Sequence, residues 1–176
     1  VKIFNSKEVV NPSPTHKPKP NYKPSISKSS EIRKVVWKGA INIWKNYPVF
    51  GSGLETFGYA YYNHRPKEHN LLSEWDFLYN KAHNEFLNIL ACQGVVGLTT
   101  YFFLIGSFLF WSFKKVKSQK LNKSSLYHFI TLSLITGYVS ILITNFFGFS
   151  VVITGLLFFM IPAFCFADAK TAKMKF

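Results

Sequence analysis

One uncharged segment constrains this chain more than any other feature. Residues 95–113 read VVGLTTYFFLIGSFLFWSF, which is 19 residues without Asp, Glu, Lys or Arg. At about 1.5 Å of rise per residue, a helix of this length approaches the ~30 Å thickness of the hydrocarbon core of a bilayer. We therefore predict a membrane-spanning helix, because a helix satisfies its own backbone polar groups in lipid.

Two further apolar segments follow the first. Residues 127–147 and 151–167 also lack Asp, Glu, Lys and Arg, and residues 148–150 join them as a short turn. We therefore predict an all-α, polytopic membrane protein whose residues 95–167 form three transmembrane helices. The missing intramembrane charges argue against an ion or proton pathway through these helices.

The lysines near these segments predict their orientation. Residues 114–123 carry five Lys and no acidic residue, and residues 168–176 carry three Lys and one Asp. Short loops rich in Lys and Arg stay in the cytoplasm, so residues 168–176 form a cytoplasmic tail and residues 30–94 lie on the outer face of the cell membrane. The net charge of +13 thus fits anionic membrane lipids as partners better than nucleic acid.

The chain before the first span divides into a linker and a region with short amphipathic helices. Residues 1–29 are rich in Pro, Lys and Ser, which is typical of an extended linker. Residues 30–47 predict an amphipathic helix that Ser29 or Ser30 caps and Pro48 ends. Its apolar residues recur at helical spacing on one face: Ile32, Val36, Ala40, Ile43 and Tyr47.

The rest of this region is predicted to be mostly loop. Residues 48–70 contain a tight turn at Gly51-Ser52-Gly53, and residues 73–76 have the spacing of a capping box that starts a short helix. Because the chain opens on Val1 without Met or a secretory signal, we expect it to be the C-terminal part of a larger protein, inactive in isolation.

A histidine among asparagines lies just before the first span. If one helix runs through His83 into residues 95–113 with a bend at Gly94, then Asn80, Asn84 and Asn88 form a polar stripe beside it. Imidazole titrates near neutrality and suits a general base. The alternative is that His83 only caps or braces this helix near the interface.

These motifs together resemble those of a known family. They are Arg33…Trp37, then Tyr47-Pro48…Gly51-x-Gly53…Phe57, then Ala82-His83-Asn84-x-x-Leu87…Gly94…Gly97-Leu98. Their order resembles the conserved region of O-antigen ligase and O-antigen polymerase proteins over about residues 30–113. The resemblance implies a GT-C-type glycosyltransferase of cell-surface polysaccharide biosynthesis. Such an enzyme transfers a glycan from a polyprenyl-diphosphate-linked donor to a hydroxyl of a glycan or glycolipid acceptor, at the outer face of the membrane.

The resemblance also implies roles for two residues. It makes His83 the general base that activates the acceptor hydroxyl, and Arg33 the residue that binds the donor diphosphate. A guanidinium suits that role because it matches phosphate oxygens in pairs. Without the resemblance, Arg33 is equally well a solvated charge or a cation stacked on Trp37. Arg65 is a second candidate for phosphate binding, with surface charge as the simpler interpretation.

Supporting roles are expected for Asn84, Glu55, Trp37, Gly51 and Gly53. Glu55 is placed to hydrogen-bond sugar hydroxyls or to orient His83, and the two glycines shape a turn whose amides offer a less favoured phosphate site. Sugar stacking and a place at the membrane interface are both open for Tyr59, Tyr61, Tyr62 and Trp75.

No metal and no cofactor are predicted, because the histidine and acidic spacings match no zinc signature. A second function remains open. A non-catalytic membrane scaffold or transport module with a basic outer loop explains the helices and the charge, but it gives His83 no role. The residues distinguish neither ligase from polymerase nor one sugar from another.

Overall fold

A computed structural model describes residues 26–118 and 126–174, and every regular element in these ranges is helical. The helices are α1 (Ser29–Asn46), α2 (Phe57–His64), a 3-10 helix (Lys67–Leu71), α3 (Glu85–Ser118), α4 (Leu126–Phe147) and α5 (Val152–Met174). This confirms the predicted all-α class. Most of the predicted linker, and residues 119–123 of the lysine-rich loop, lie outside the described residues.

The first helix confirms the predicted amphipathic pattern. Its four apolar positions from Ile32 to Ile43 are buried, whereas Tyr47 lies beyond the helix end and is 46% exposed. The predicted serine cap is wrong. Ser29 and Ser30 are already helical, and Lys28 occupies the cap position with extended dihedral angles and no capping side-chain hydrogen bond. A serine inside the first turn cannot act as the flanking residue that an N-cap must be.

The region after α1 is more ordered than predicted. Residues 48–70, expected to be a loop, contain α2 and the 3-10 helix, and their Tyr61 and His69 are fully buried in the core beneath α1. Residues 73–76 form a turn instead of starting a helix. The capping-box spacing is present there, but the chain that follows it stays extended or bent until α3 begins.

The bend expected at Gly94 is present and sharp. Gly94 has φ 67° and ψ −164° within α3, so the helix is two arms, residues 85–93 and 95–118. The rings of Phe86 and Phe102 stack with centroids 5.5 Å apart. Their 16-residue separation would place them about 24 Å apart along a straight helix. The first arm therefore folds back toward the second.

The start of α3 corrects the prediction that His83 lies on a helix. The helix begins at Glu85, and His83 has a left-handed φ of 53°. Asn80 also precedes the helix, so the asparagines do not form the predicted polar stripe. The left-handed residue redirects the chain immediately before α3, which interrupts any helical spacing across it.

The apolar helices lie where the spans were predicted. Residues Glu85–Lys117 and Phe129–Phe147 are long and apolar enough to cross a membrane, and Val152–Ala167 is a shorter apolar helix. Their buried residues form a second core around Phe108, Tyr138 and Phe158, while side chains such as Phe103 and Phe159 point outward. The number of crossings and their orientation stay predictions.

Candidate functional site

A small pocket lies where α1 meets the segment that leads into α3. Its volume is about 140 Å³, and it is lined by Ser29, Ile32, Arg33, Val36, Glu74, Tyr79 and His83. The fold thus brings Arg33 and His83 together although 50 residues separate them in the sequence. A guanidinium, a carboxylate, a phenol and an imidazole line one cavity.

Asn84 fixes the backbone beside His83. Its Oδ1 accepts a hydrogen bond from the Leu87 amide at 3.0 Å, which makes Asn84 the N-cap of α3. Its Nδ2 donates to the carbonyl of Phe146 at 2.9 Å, and the next residue, Glu85, accepts from the Ser150 amide at 3.0 Å. The start of α3 is therefore tied to the α4–α5 connection. Asn84 therefore supports the site by capping α3, and not as a member of the predicted polar stripe.

Aromatic rings hold the His83 side chain on two sides. The imidazole meets Tyr79 edge to face with centroids 5.6 Å apart, and it meets Phe149 at 5.3 Å. Among the described residues, no side chain or backbone group hydrogen-bonds to its ring nitrogens. A nitrogen of His83 is therefore available to a substrate hydroxyl.

The surroundings of His83 favour its neutral form. Burial lowers the pKa of the imidazole below its ordinary value, and the positive charge of Arg33 lowers it further, while the carboxylate of Glu74 opposes both effects. A neutral imidazole can accept a proton at neutral pH, which a general base requires.

Residues 24–102 match the family model described as O-antigen ligase. Over this segment, the match supports membership of the O-antigen ligase family. The match contains every residue that lines the pocket. At the level of the family, the match supports a membrane glycosyltransferase of the ligase or polymerase type. No curated protein and no solved structure matches the chain.

Glu74 and Tyr79 are pocket residues of the matched segment that sequence reasoning missed. The Tyr79 hydroxyl donates a hydrogen bond to Glu74 Oε2. Burial, and then this bond, raise the pKa of Tyr79, so the phenol stays protonated. The sequence shows Glu74 in a capping-box spacing and among acidic and histidine residues that match no zinc signature, and neither pattern indicates a pocket. Tyr79 precedes His83 by four residues, a spacing that carries no information where no helix forms.

Arg65 and Glu55, the other two charged residues predicted for the site, do not line the pocket. Arg65 donates to the carbonyl of Trp75 at 3.3 Å, and its guanidinium lies 6.0 Å from the centroid of the Tyr62 ring. Glu55 pairs with Lys81 at 2.5 Å, and its carboxylate side chain is 77% exposed. Both charges therefore have partners of their own outside the cavity that holds Arg33.

Trp37 braces α1 against the apolar helices. Its ring meets Phe146 edge to face with centroids 6.1 Å apart, at the α4 residue whose carbonyl binds Asn84. Phe146 therefore supports both the helix that carries Arg33 and the segment that carries His83. No cation–π pair joins Arg33 to the Trp37 ring within the described ranges, so the stacked alternative for Arg33 is not observed.

The glycine turn binds α3 and leaves no amides for phosphate. Gly51 donates to the carbonyl of Tyr47 at 3.1 Å, and Ser52 and Gly53 donate to the carbonyls of Ala91 and Cys92, each at 2.9 Å. Those two carbonyls lie in the last turn before Gly94. The last carbonyls of a helix have no backbone amide of the same helix to bond to. The turn therefore caps the first arm of α3.

No set of three His, Cys, Asp or Glu side chains suited to a metal ion occurs in the part of the chain that the structure describes.

Proposed function

We propose that this chain holds the catalytic pocket of a membrane glycosyltransferase that uses a polyprenyl-diphosphate-linked glycan as donor and a hydroxyl of a glycan or glycolipid as acceptor. The observation that carries the proposal is the shared pocket of Arg33 and His83. A cation suited to diphosphate and an unpaired neutral base are the two groups that this transfer needs.

The proposed reaction is a single displacement at the anomeric carbon of the donor. The acceptor oxygen forms a bond to that carbon while the bond from the carbon to the diphosphate oxygen breaks. The diphosphate leaves with the electron pair, and the hydroxyl proton passes to His83. Such a displacement inverts the anomeric centre.

Arg33 stabilises the leaving diphosphate in this reaction. Its guanidinium donates paired hydrogen bonds to the oxygens on which negative charge grows, and the partly enclosed pocket strengthens that interaction. The same charge lowers the pKa of His83, so one residue serves both substrates. The donor reaches this pocket from the bilayer, because the start of α3 is tied to the connection of two apolar helices.

The proposal is tested with His83→Asn in the full-length protein, purified with a lipid-linked donor. Asparagine tolerates the left-handed φ of 53° but is no base. We expect turnover to fall by roughly 10²–10⁴-fold, the usual contribution of a positioned base. The matched control is His64→Asn, because His64 does not line the pocket and its ring bonds to the Ala60 carbonyl in its own helix. Near-normal turnover of His83→Asn would remove the mechanism.

Arg33 is tested by a charge-conserving change. Arg33→Lys keeps the positive charge but loses the planar fork, so we expect transfer to be strongly impaired and the donor KM to rise. The control is Lys38→Ala on the same helix, which removes only an exposed pair with Glu68. Equal and mild effects of the two changes would make Arg33 a surface charge.

A further inference from the structure

We propose that Glu74, oriented by Tyr79, forms the acceptor subsite of the pocket and selects neutral or amino sugars over acidic sugars. This inference rests on the proposed function, because it concerns the substrate side opposite the diphosphate. Glu74 is the only carboxylate among the residues that line the described pocket.

The carboxylate of Glu74 is held in place at one oxygen. Tyr79 is buried at 3% exposure, and its hydroxyl donates a hydrogen bond to Glu74 Oε2. Tyr79 is itself fixed by ring contacts with Tyr61, His69 and Phe77, at centroid distances of 6.2, 5.8 and 4.9 Å. The hydrogen bond therefore orients the exposed carboxylate of Glu74, because the surrounding rings fix the position of Tyr79.

The other oxygen of Glu74 is available to a ligand. Within the described part of the chain, Oε1 receives no hydrogen bond, and no ion pair joins Glu74 to Arg33. An ionised carboxylate accepts several hydrogen bonds, so Oε1 can take them from sugar hydroxyls or from an ammonium group.

The opposite charges of Arg33 and Glu74 indicate which side of the pocket each substrate occupies. A diphosphate is attracted by Arg33 and repelled by Glu74, so the donor occupies the Arg33 side. A sugar with hydroxyl or amino donors suits the Glu74 side, whereas a uronic acid brings a second carboxylate against it. His83 is within electrostatic reach of both residues and contacts Tyr79 directly. The base therefore lies beside the sugar that it must deprotonate.

The experiment measures binding of three methyl glycosides to the full-length protein by saturation-transfer NMR: a neutral glucoside, an amino glucoside and a uronic acid glycoside. The wild-type protein is expected to bind the amino and neutral probes at least tenfold more tightly than the acidic probe. Glu74→Gln keeps the size and an acceptor for Tyr79 but loses the charge. It should bring the three affinities to within about threefold of one another.

The matched control is Glu68→Gln, since Glu68 is exposed, pairs with Lys38 and does not line the pocket. It should keep the wild-type order of the probes, as should Glu74→Asp. If Glu74 only stabilised the fold, Glu74→Gln would change the stability of the protein without changing the order of the probe affinities. An unchanged order in Glu74→Gln, or failure of the wild-type protein to discriminate, overturns the proposal.

The experiments can reject the acceptor subsite and the catalytic roles independently of each other. His83→Asn should lower transfer by roughly the same 10²–10⁴-fold while leaving the order of glycoside binding intact. If His83→Asn and Arg33→Lys transfer glycan normally while Glu74→Gln still removes discrimination, the catalytic roles are wrong and the subsite stands. If His83→Asn and Arg33→Lys impair transfer while Glu74→Gln leaves the discrimination unchanged, the subsite is wrong and the catalytic roles stand.

Discussion

Replacing Gly94 with alanine should destabilise the protein severely, because this residue lies where the glycine turn crosses α3. A Cβ atom at Gly94 would lie 2.2 Å from the carbonyl oxygen of Val49 and 2.4 Å from its carbonyl carbon. Both atoms belong to the backbone, so no side-chain rotation relieves the overlap. The turn must move away from the helix by about 1 Å or more to restore ordinary contact distances.

Two sources contribute to the expected loss. The φ of 67° and ψ of −164° at Gly94 fall in a region that only glycine adopts readily, and forcing alanine into it costs about 1–3 kcal/mol. Moving the turn also breaks the bonds from the amides of Val95 and Val96 to the carbonyls of Pro48 and Val49, now 2.9 and 3.2 Å long. At about 1–1.5 kcal/mol for each bond, the total loss is roughly 3–6 kcal/mol.

The assay is the free energy of unfolding of the full-length protein, measured by denaturant titration in mixed micelles. Gly106→Ala is the matched control, because Gly106 lies in the second arm of α3 and a Cβ there meets nothing within 4 Å. That change should leave stability unchanged or raise it by up to about 1 kcal/mol, the helix preference of alanine over glycine. Equal effects of the two substitutions would refute the proposed role of the crossing.

Two further predictions concern orientation and pH. In intact cells, a cysteine at Tyr59 should react with an impermeant thiol reagent and one at Lys117 should not, because we predict that the lysine-rich loop lies in the cytoplasm; the reverse pattern would invert the topology. Burial and the charge of Arg65 lower the pKa of His69. The unfolded chain therefore binds the proton more readily, so the melting temperature should fall as pH drops below about 6.5, and His69→Gln should weaken that dependence.

The apolar helices and α1 could be predicted from local patterns. Runs without charge identify α4, α5 and the second arm of α3, because the membrane requirement applies to every residue of such a run. The spacing from Ile32 to Ile43 predicts α1, because a helix repeats every 3.6 residues wherever it is placed. Gly94 was correctly expected to bend its helix, but how far the two arms fold back was not visible.

The errors fall where tertiary contacts outweigh local preference. Residues 57–71 form helices because Tyr61 and His69 fill the space beneath α1, where the Tyr61 hydroxyl and His69 Nδ1 lie 2.9 Å apart. A prediction from turn-like composition cannot see that core. The polar stripe around His83 failed for a similar reason, since the left-handed residue is held by the bonds of Asn84 and Glu85 to the distant α4–α5 connection.

The sequence by itself determined the helical class, the apolar segments and the residue types of the pocket. A guanidinium for diphosphate and an imidazole for proton transfer are chemical properties of Arg33 and His83 that exist before folding. Only the tertiary structure decided that the two share a cavity, that Glu74 and Tyr79 join them, and that Arg65 and Glu55 have other partners. These decisions depend on contacts between residues tens of positions apart, and local periodicity carries no information about such contacts.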